Sequence, residues 1–188
     1  MSHIAIISAS VRDGRKSHNV ALHLERTLKA TTNTVDLLDL GEFDFPLFHE
    51  RLKFMKEPPA KVLEFAERIR KAEGVIIVTP EYNGSIPGTL KNALDWASRA
   101  KPNPLDKKPV LLLGASPGAL GAVRGLWHTR VPLEALGAFV YPQMHGLSKA
   151  HEAFDDAGQL RDSKAAEQLM KLLQTFVQFA NATNSTGK

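Results

Sequence analysis

"GVIIVTPEYNGSIPGTLKNALDW", Gly74 to Trp96, passes through three kinds of chain in one stretch. Val75 to Val78 is an apolar run with no charge, the pattern of a strand buried on both faces. The run stops at Pro80. Thr79 to Gly88 then carries a single carboxylate, Glu81, with Tyr82, Asn83, Gly84 and Ser85 beside it. Leu90, Ala93, Leu94 and Ala97 return at helical spacing, and Pro87 stands where a first helical turn tolerates it. A strand that empties into an uncharged glycine loop and then a helix is half of a parallel α/β unit.

The same unit recurs on both sides. Ile4 to Ile7 is an apolar strand ending in Ser8-Ala9-Ser10, and from Asn19 the residues Val20, Leu24, Thr27 and Leu28 mark a helix. Thr34 to Leu40 reads as a second strand, and Val62, Phe65, Ala66 and Ile69 as the next helix. Pro109 to Gly114 is another strand, followed by a loop from Ser116 to Gly121 and a helix through Leu136 in which Pro132 predicts a kink. Ala138 to Tyr141 is expected to be the last strand. Ser163 to Ala180 closes the chain as a helix, and the polar residues from about Asn181 are expected to fray. Strand and helix alternate five times. Parallel strands need right-handed crossovers, so the expected fold is α/β: a doubly wound five-stranded parallel sheet with helices on both faces, in one domain over residues 1–188.

Composition narrows the function. Hydrophobic residues are 43% of the chain, enough for a substantial core. There is no cysteine, which removes disulfides, thiolate nucleophiles and iron–sulfur clusters together. The net charge of +4 is spread out except at Arg12-Asp13-Gly14-Arg15-Lys16, without the basic face of a nucleic-acid binder. No apolar run approaches the roughly 18 residues of a membrane span. The start of the chain has no signal-peptide pattern, so a cytoplasmic protein is expected. The histidines form no close ligand pair such as His-Glu-x-x-His, and no metal site is expected. Phe43 to Pro59 looks irregular, and Phe43, Phe45, Phe48 and Phe54 in it are expected to form an exposed subunit interface.

In an open parallel sheet, ligands bind beyond the carboxyl ends of the strands. Three loops of unusual composition fall there. Ser8 to Asn19 offers the hydroxyls of Ser8, Ser10 and Ser17 with Arg12 and Arg15, and runs into a helix whose free N–H groups favour phosphate. A plain helix start capped by Ser17 is the simpler alternative. The loop lacks the Gly-x4-Gly-Lys-Ser/Thr frame of a nucleotide P-loop. Thr79 to Gly88 suits the polar edge of a flat apolar ligand, with Tyr82 against a ring and Asn83 able to donate and accept. Ser116 to Gly121 is glycine-rich but weak as a dinucleotide fingerprint. A phosphate cradle with two backbone-rich loops fits a mononucleotide bearing a flat ring system, and FMN is the natural candidate.

The stretch from Thr79 to Trp96 resembles the signature of the NAD(P)H-dependent FMN reductases, flavodoxin-like proteins that include quinone, azo-dye and chromate reductases. Ser10-x-Arg12…Ser17-x-Asn19 and Ser116-x-Gly118 are also similar, and the resemblance covers about Ile4 to Phe179. It implies FMN bound by Ser10, Arg12, Ser17, His18 and Asn19 at the phosphate end. At the ring it implies Pro80, Glu81, Tyr82, Asn83, Gly84, Ser85, Ser116 and Gly118. It implies NAD(P)H as electron donor, a small-molecule acceptor, and a homodimer or homotetramer. The chain departs from the pattern at Ala9, where glycine is common. Four residues also separate Arg12 from Ser17, where some members have two. The expected reaction is ping-pong: NAD(P)H passes hydride to the flavin and leaves, and a quinone, azo compound, chromate or free flavin takes its place. No side chain is required as acid or base, and Tyr82 is expected to border the open face. A flavodoxin-type electron carrier is the alternative with the same fold, although such carriers are usually acidic. A regulatory nucleotide-binding module is the third.

Overall fold

The computed structural model describes residues 2–31, 33–49 and 58–185. The strands are β1 (His3–Ser8), β2 (Thr34–Asp39), β3 (Gly74–Thr79), β4 (Pro109–Ala115), β5 (Phe139–Val140) and β6 (His145–Leu147). The helices are α1 (Lys16–Lys29), α2 (Ala60–Lys71), α3 (Gly88–Ala97), α4 (Val123–Ala135) and α5 (Ser163–Ser185). Every strand pair is parallel, and the order across the sheet is β2-β1-β3-β4-β5, with β6 also on β4. This is the doubly wound, flavodoxin-like sheet, with the chain reversing its direction of travel between β1 and β3.

The uninterrupted apolar runs exist because both faces of the sheet are covered. Ala5, Ile7, Val75, Ile77, Val110 and Leu112 pack with Phe65 and Ile69 of α2, Leu90 and Leu94 of α3, and Leu126 and Leu133 of α4. Their neighbours Ile4, Ile6, Ile76, Val78, Leu111 and Leu113 point the other way. These pack with Val20 and Leu24 of α1 and Leu169, Leu173 and Phe176 of α5. Alternate residues of one strand thus feed two separate cores, as the two-residue period of a strand requires.

Four local expectations need correction. The fifth strand is in two pieces. From Val110 to Leu113 is three residues along β4, but their partners Val140 and His145 are five apart, so two extra residues bulge out at Tyr141–Met144. Pro142, which has no N–H, lies in that bulge. Helix α1 begins at Lys16 rather than Asn19, and its N-cap position is Arg15, so Ser17 is a buried helical residue and not the cap. Residues 181–185 are helical rather than frayed, with Asn184 Nδ2 donating to the Glu73 carbonyl at 2.8 Å. The aromatic segment is not an exposed patch: Phe43 is buried, Phe43, Phe45 and Phe65 meet pairwise in tilted or edge-on contacts, and Phe48 meets Trp96 edge-on. Phe54 lies outside the described residues.

That segment is pinned to α3 by residues of the signature stretch. Trp96 Nε1 donates to the Pro46 carbonyl at 2.7 Å, and the Asn92 side chain accepts from Phe48 N–H at 2.8 Å. At the opposite end of the sheet, Lys108 Nζ donates to the carbonyls of Ala72 and, at 3.3 Å, Arg70, where α2 ends. Burial lowers the Lys108 pKa, with Arg70 adding to the effect.

Candidate functional site

The loops after β1, β3 and β4 share one rim, and hydrogen bonds tie them to one another. Ala9 N–H donates to the Val78 carbonyl at 2.9 Å, and Thr89 Oγ1 donates to the Ala9 carbonyl at 3.2 Å, so the first loop is fixed to β3 and to the start of α3. Glu81 and Ser85 of the second loop reach α4, which follows the third. The third loop is held from outside by Ser116 N–H on the Leu147 carbonyl at 3.1 Å and by Lys149 N–H on the Gly118 carbonyl at 3.3 Å.

The first loop arches outward. Val11, Arg12, Asp13 and Gly14 are exposed, and Gly14 takes φ +65°, a left-handed conformation that glycine adopts without penalty. Arg12 makes no hydrogen bond or ion pair among the described residues, whereas Arg15 is fully engaged by Asp39 and the Ser10 carbonyl. The start of α1 has no side-chain cap and no acidic residue in its first turn. The start of α1 therefore keeps its N–H groups free of a side-chain cap, and the loop leading into it carries the unpartnered guanidinium of Arg12, a combination that attracts an anion. His18 is turned inward, with Nδ1 3.0 Å from Ser8 Oγ. Asn19 is exposed one residue on and lies on a different side of α1, in a depression it shares with Arg26 and residues 154–158. On the β2 side of the loop is a cleft of about 380 Å³ bordered by Val11, Gly41, Asp44, Thr89 and Asn92.

The second loop is a two-residue hairpin. Tyr82 and Ser85 exchange both backbone hydrogen bonds at 3.0 Å, and Asn83 and Gly84 between them take φ 51° and 74°. Positive φ at both positions is the requirement of a type I′ turn, and Asn-Gly is the pair that meets it best. Pro80 leads in, and Tyr82 stands 40% exposed at the tip. Glu81 does something the sequence did not announce. Its carboxylate accepts from the backbone N–H groups of Arg124 at 3.1 Å and Gly125 at 3.3 Å, and from Arg124 Nε at 2.7 Å. It caps α4, whose own N-cap residue, Ala122, has no side chain to do so and sits at φ 69°. Burial pushes the Glu81 pKa up, but the hydrogen bonds from Arg124 and Gly125 more than offset it, and the carboxyl lies below its ordinary value. Ser85 Oγ meets His128 Nδ1 of α4 at 2.9 Å.

In the third loop the glycines divide by task. A Cβ on Gly121 would overlap the Gly146 carbonyl, and one on Gly114 would come within 2.7 Å of the Gly121 carbonyl. Those glycines let β4, the loop and β6 close on each other. Gly118 has no such reason: a Cβ there would find nothing nearer than Ser116 Oγ at 3.9 Å. Its bare backbone faces open space. Of the site residues expected from sequence, all belong to this rim except Asn19, which faces away with the depression on α1. The residues that sequence reasoning missed are Asp39, His128 and Arg124. No helix among the described residues is long and apolar enough to cross a membrane.

A model of the family described as NADPH-dependent FMN reductase matches residues 2–152. The chain belongs to that family. It is 38% identical over 175 residues to an NAD(P)H-dependent FMN reductase of Pseudomonas aeruginosa, covering 89% of each chain. It is 35% identical over 178 residues to a quinone reductase of Escherichia coli K12, covering 94% of each. Among solved structures, the flavoenzyme NAD(P)H:(acceptor) oxidoreductase FerB of Paracoccus denitrificans superposes with a TM-score of 0.86 at 28% identity, over 97% of this chain and 99% of that one. A flavodoxin of Pseudomonas aeruginosa, 19% identical over 97% of this chain and 99% of its own, superposes at 0.57 and shares the fold.

Proposed function

We propose that this chain is an FMN-dependent NAD(P)H oxidoreductase that delivers two electrons to quinones and comparable small acceptors. Its relatives named as FMN reductase and quinone reductase align over most of its length, which supports the reaction class. The observation that supports the cofactor site most is the uncapped, acid-free start of α1 beside the unpartnered Arg12, at the point where the sheet reverses direction. In this reading Ser10, Arg12 and Ser17 hold the FMN phosphate with His18 bordering them, while Asn19, turned to the depression on the other side of α1, takes no direct part. Backbone from Pro80 to Ser85, with Ser116 and Gly118, meets the polar edge of the ring. The donor set fits the group: a cation and free N–H groups for the phosphate, and uncharged backbone with an open glycine for the flavin.

Bound FMN supplies the two-electron chemistry, accepting hydride from NAD(P)H and passing reducing equivalents to the acceptor. The chain's part is to orient and to restrict access. Glu81 stiffens the second loop by anchoring it to α4 and leaves that loop's rim without free charge, as a neutral aromatic acceptor requires. Tyr82 projects from the turn and borders the face where donor and acceptor alternate. Steady-state quinone reduction at varied NAD(P)H concentrations should give parallel double-reciprocal lines, and Tyr82→Ala should alter acceptor kinetics more than FMN affinity. Intersecting lines would refute alternation at one site.

The protein also assembles as a homodimer or homotetramer in this reading. Support comes from α4 rather than from the phenylalanine segment: Trp127 and Val131, 56% and 67% exposed, stand one turn apart on its outer face. Light scattering that returns a 20.6 kDa particle at micromolar concentration would contradict it.

A further inference from the structure

Asp39 ends β2, buried to 6% exposure, and faces the loop after β1. Its two oxygens hold the Arg15 guanidinium in a fork, Nη1 on Oδ1 and Nη2 on Oδ2, each at 2.5 Å. Arg15 Nη1 also donates to the Ser10 carbonyl at 2.6 Å. Asp39 Oδ1 accepts from Gly41 N–H at 2.9 Å, and Oδ2 stands 3.5 Å from His18 Nδ1. A Cβ on Gly41 would come within 3.0 Å of Arg15 Nη1, so the bare backbone there makes room for the guanidinium. One carboxylate therefore meets the His18 end of the arch directly and the Ser10 end through Arg15. Between those ends, no side-chain hydrogen bond is made by Val11, Arg12, Asp13 or Gly14 among the described residues. The arch hangs from the Arg15 fork. Arg15 lies within the four residues that separate Arg12 from Ser17.

We infer that Asp39 is a positioning residue for the phosphate group of the flavin nucleotide, acting through Arg15 and His18. The inference rests on the reading that this loop holds the FMN phosphate. The fork fixes the plane of the guanidinium and with it the Ser10 carbonyl, so the arch is set before the ligand arrives. The fork also cancels the Arg15 charge, which leaves Arg12 as the arch's free guanidinium. His18 presents Nδ1 to Ser8 and Asp39, so Nε2 is the ring nitrogen turned away from the core. A direct phosphate role for Arg15 makes the opposite forecast, because removing the Asp39 charge would then release Arg15 to the ligand.

The test compares FMN with riboflavin, which lacks the phosphate, on full-length protein stripped of flavin. Binding is read by quenching of flavin fluorescence. Asp39→Asn should raise the FMN dissociation constant about tenfold, the loss of roughly one charge-assisted hydrogen bond, while riboflavin binding changes less than about twofold. Arg15→Gln should do the same, and the double variant should be no worse than either single one, because both break one fork. Asp39→Ser carries the test if Asp39→Asn does not fold, because Arg15→Gln alone would weaken FMN binding whether Arg15 positions the arch or touches the phosphate. Tighter FMN binding by Asp39→Asn would overturn the inference in favour of Arg15 as ligand. Equal weakening of both flavins would make Asp39 merely structural, and no change in either dissociation constant would remove it from the site. A wild-type protein that binds riboflavin as tightly as FMN would instead refute the phosphate cradle itself.

Discussion

Replacing Glu81 by alanine separates two things that its carboxylate does at once. It satisfies two backbone N–H groups at the start of α4, and it pairs with the side chain of Arg124. Loss of a helix cap costs about 1–2 kcal/mol. The ion pair adds about 0.2–1 kcal/mol, since Arg124 is 56% exposed and screened by water. Glu81→Ala should therefore destabilise the flavin-free protein by about 2 kcal/mol, a fall in Tm of about 4–8 °C for a chain of this size. Arg124→Ala removes only the side-chain part, because the backbone N–H at that position still reaches Glu81, and should cost under about 1 kcal/mol. The pH dependence has a definite sign. The Glu81 pKa is lowered in the folded protein from 4.5, so its contribution is present above that pH and is lost as pH falls through the folded value. The gap in stability between wild type and Glu81→Ala should thus be constant near neutrality and close in acid below about pH 4.5. Urea melts of both variants across pH check this. If Arg124→Ala costs as much as Glu81→Ala, the ion pair and not the cap carries the effect, and the account of α4 is wrong.

The two glycine types of the third loop give opposite outcomes. Gly121→Ala should destabilise the fold by about 1–3 kcal/mol or prevent soluble expression, because the new methyl overlaps the Gly146 carbonyl and φ is +56°. Gly118→Ala should leave the melting temperature of the flavin-free protein unchanged and weaken FMN binding, measured by fluorescence titration. Lys108→Met should cost about 1–3 kcal/mol in urea denaturation, since it leaves the carbonyls at the end of α2 without their donor, with no change in FMN affinity.

Local pattern was enough to place the sheet. Each strand core is an apolar run of a few residues that ends in a polar or glycine-containing loop, and alternation with helical spacing leaves little choice of topology. The split of the fifth strand was less legible, although Pro142 directly after Tyr141 marks where a ladder hydrogen bond has to fail. The phenylalanines of residues 43–48 misled because exposure cannot be read from an aperiodic segment: their cover comes from Phe65 and Trp96 on helices far along the chain. Glu81 looked like a ligand group for the same reason. Its partners lie 43 and 44 residues away on α4. The signal was there in α4 itself, which starts at Ala122 and Val123 with no Ser, Thr, Asp or Asn to cap it. Asp39 carried no signal at all, because a carboxylate at the end of a strand acquires meaning only when Arg15 is seen to fold back onto it.

The central claim is that electrons pass from NAD(P)H to an FMN held on this rim and on to a small acceptor. Anaerobic stopped-flow mixing of the FMN-loaded protein with NAD(P)H tests it most directly. The flavin absorbance should bleach in one two-electron phase, and a stoichiometric quinone added afterwards should restore it. A bound flavin that NAD(P)H leaves oxidised, but that an external one-electron reductant bleaches, would contradict the account and identify an electron carrier.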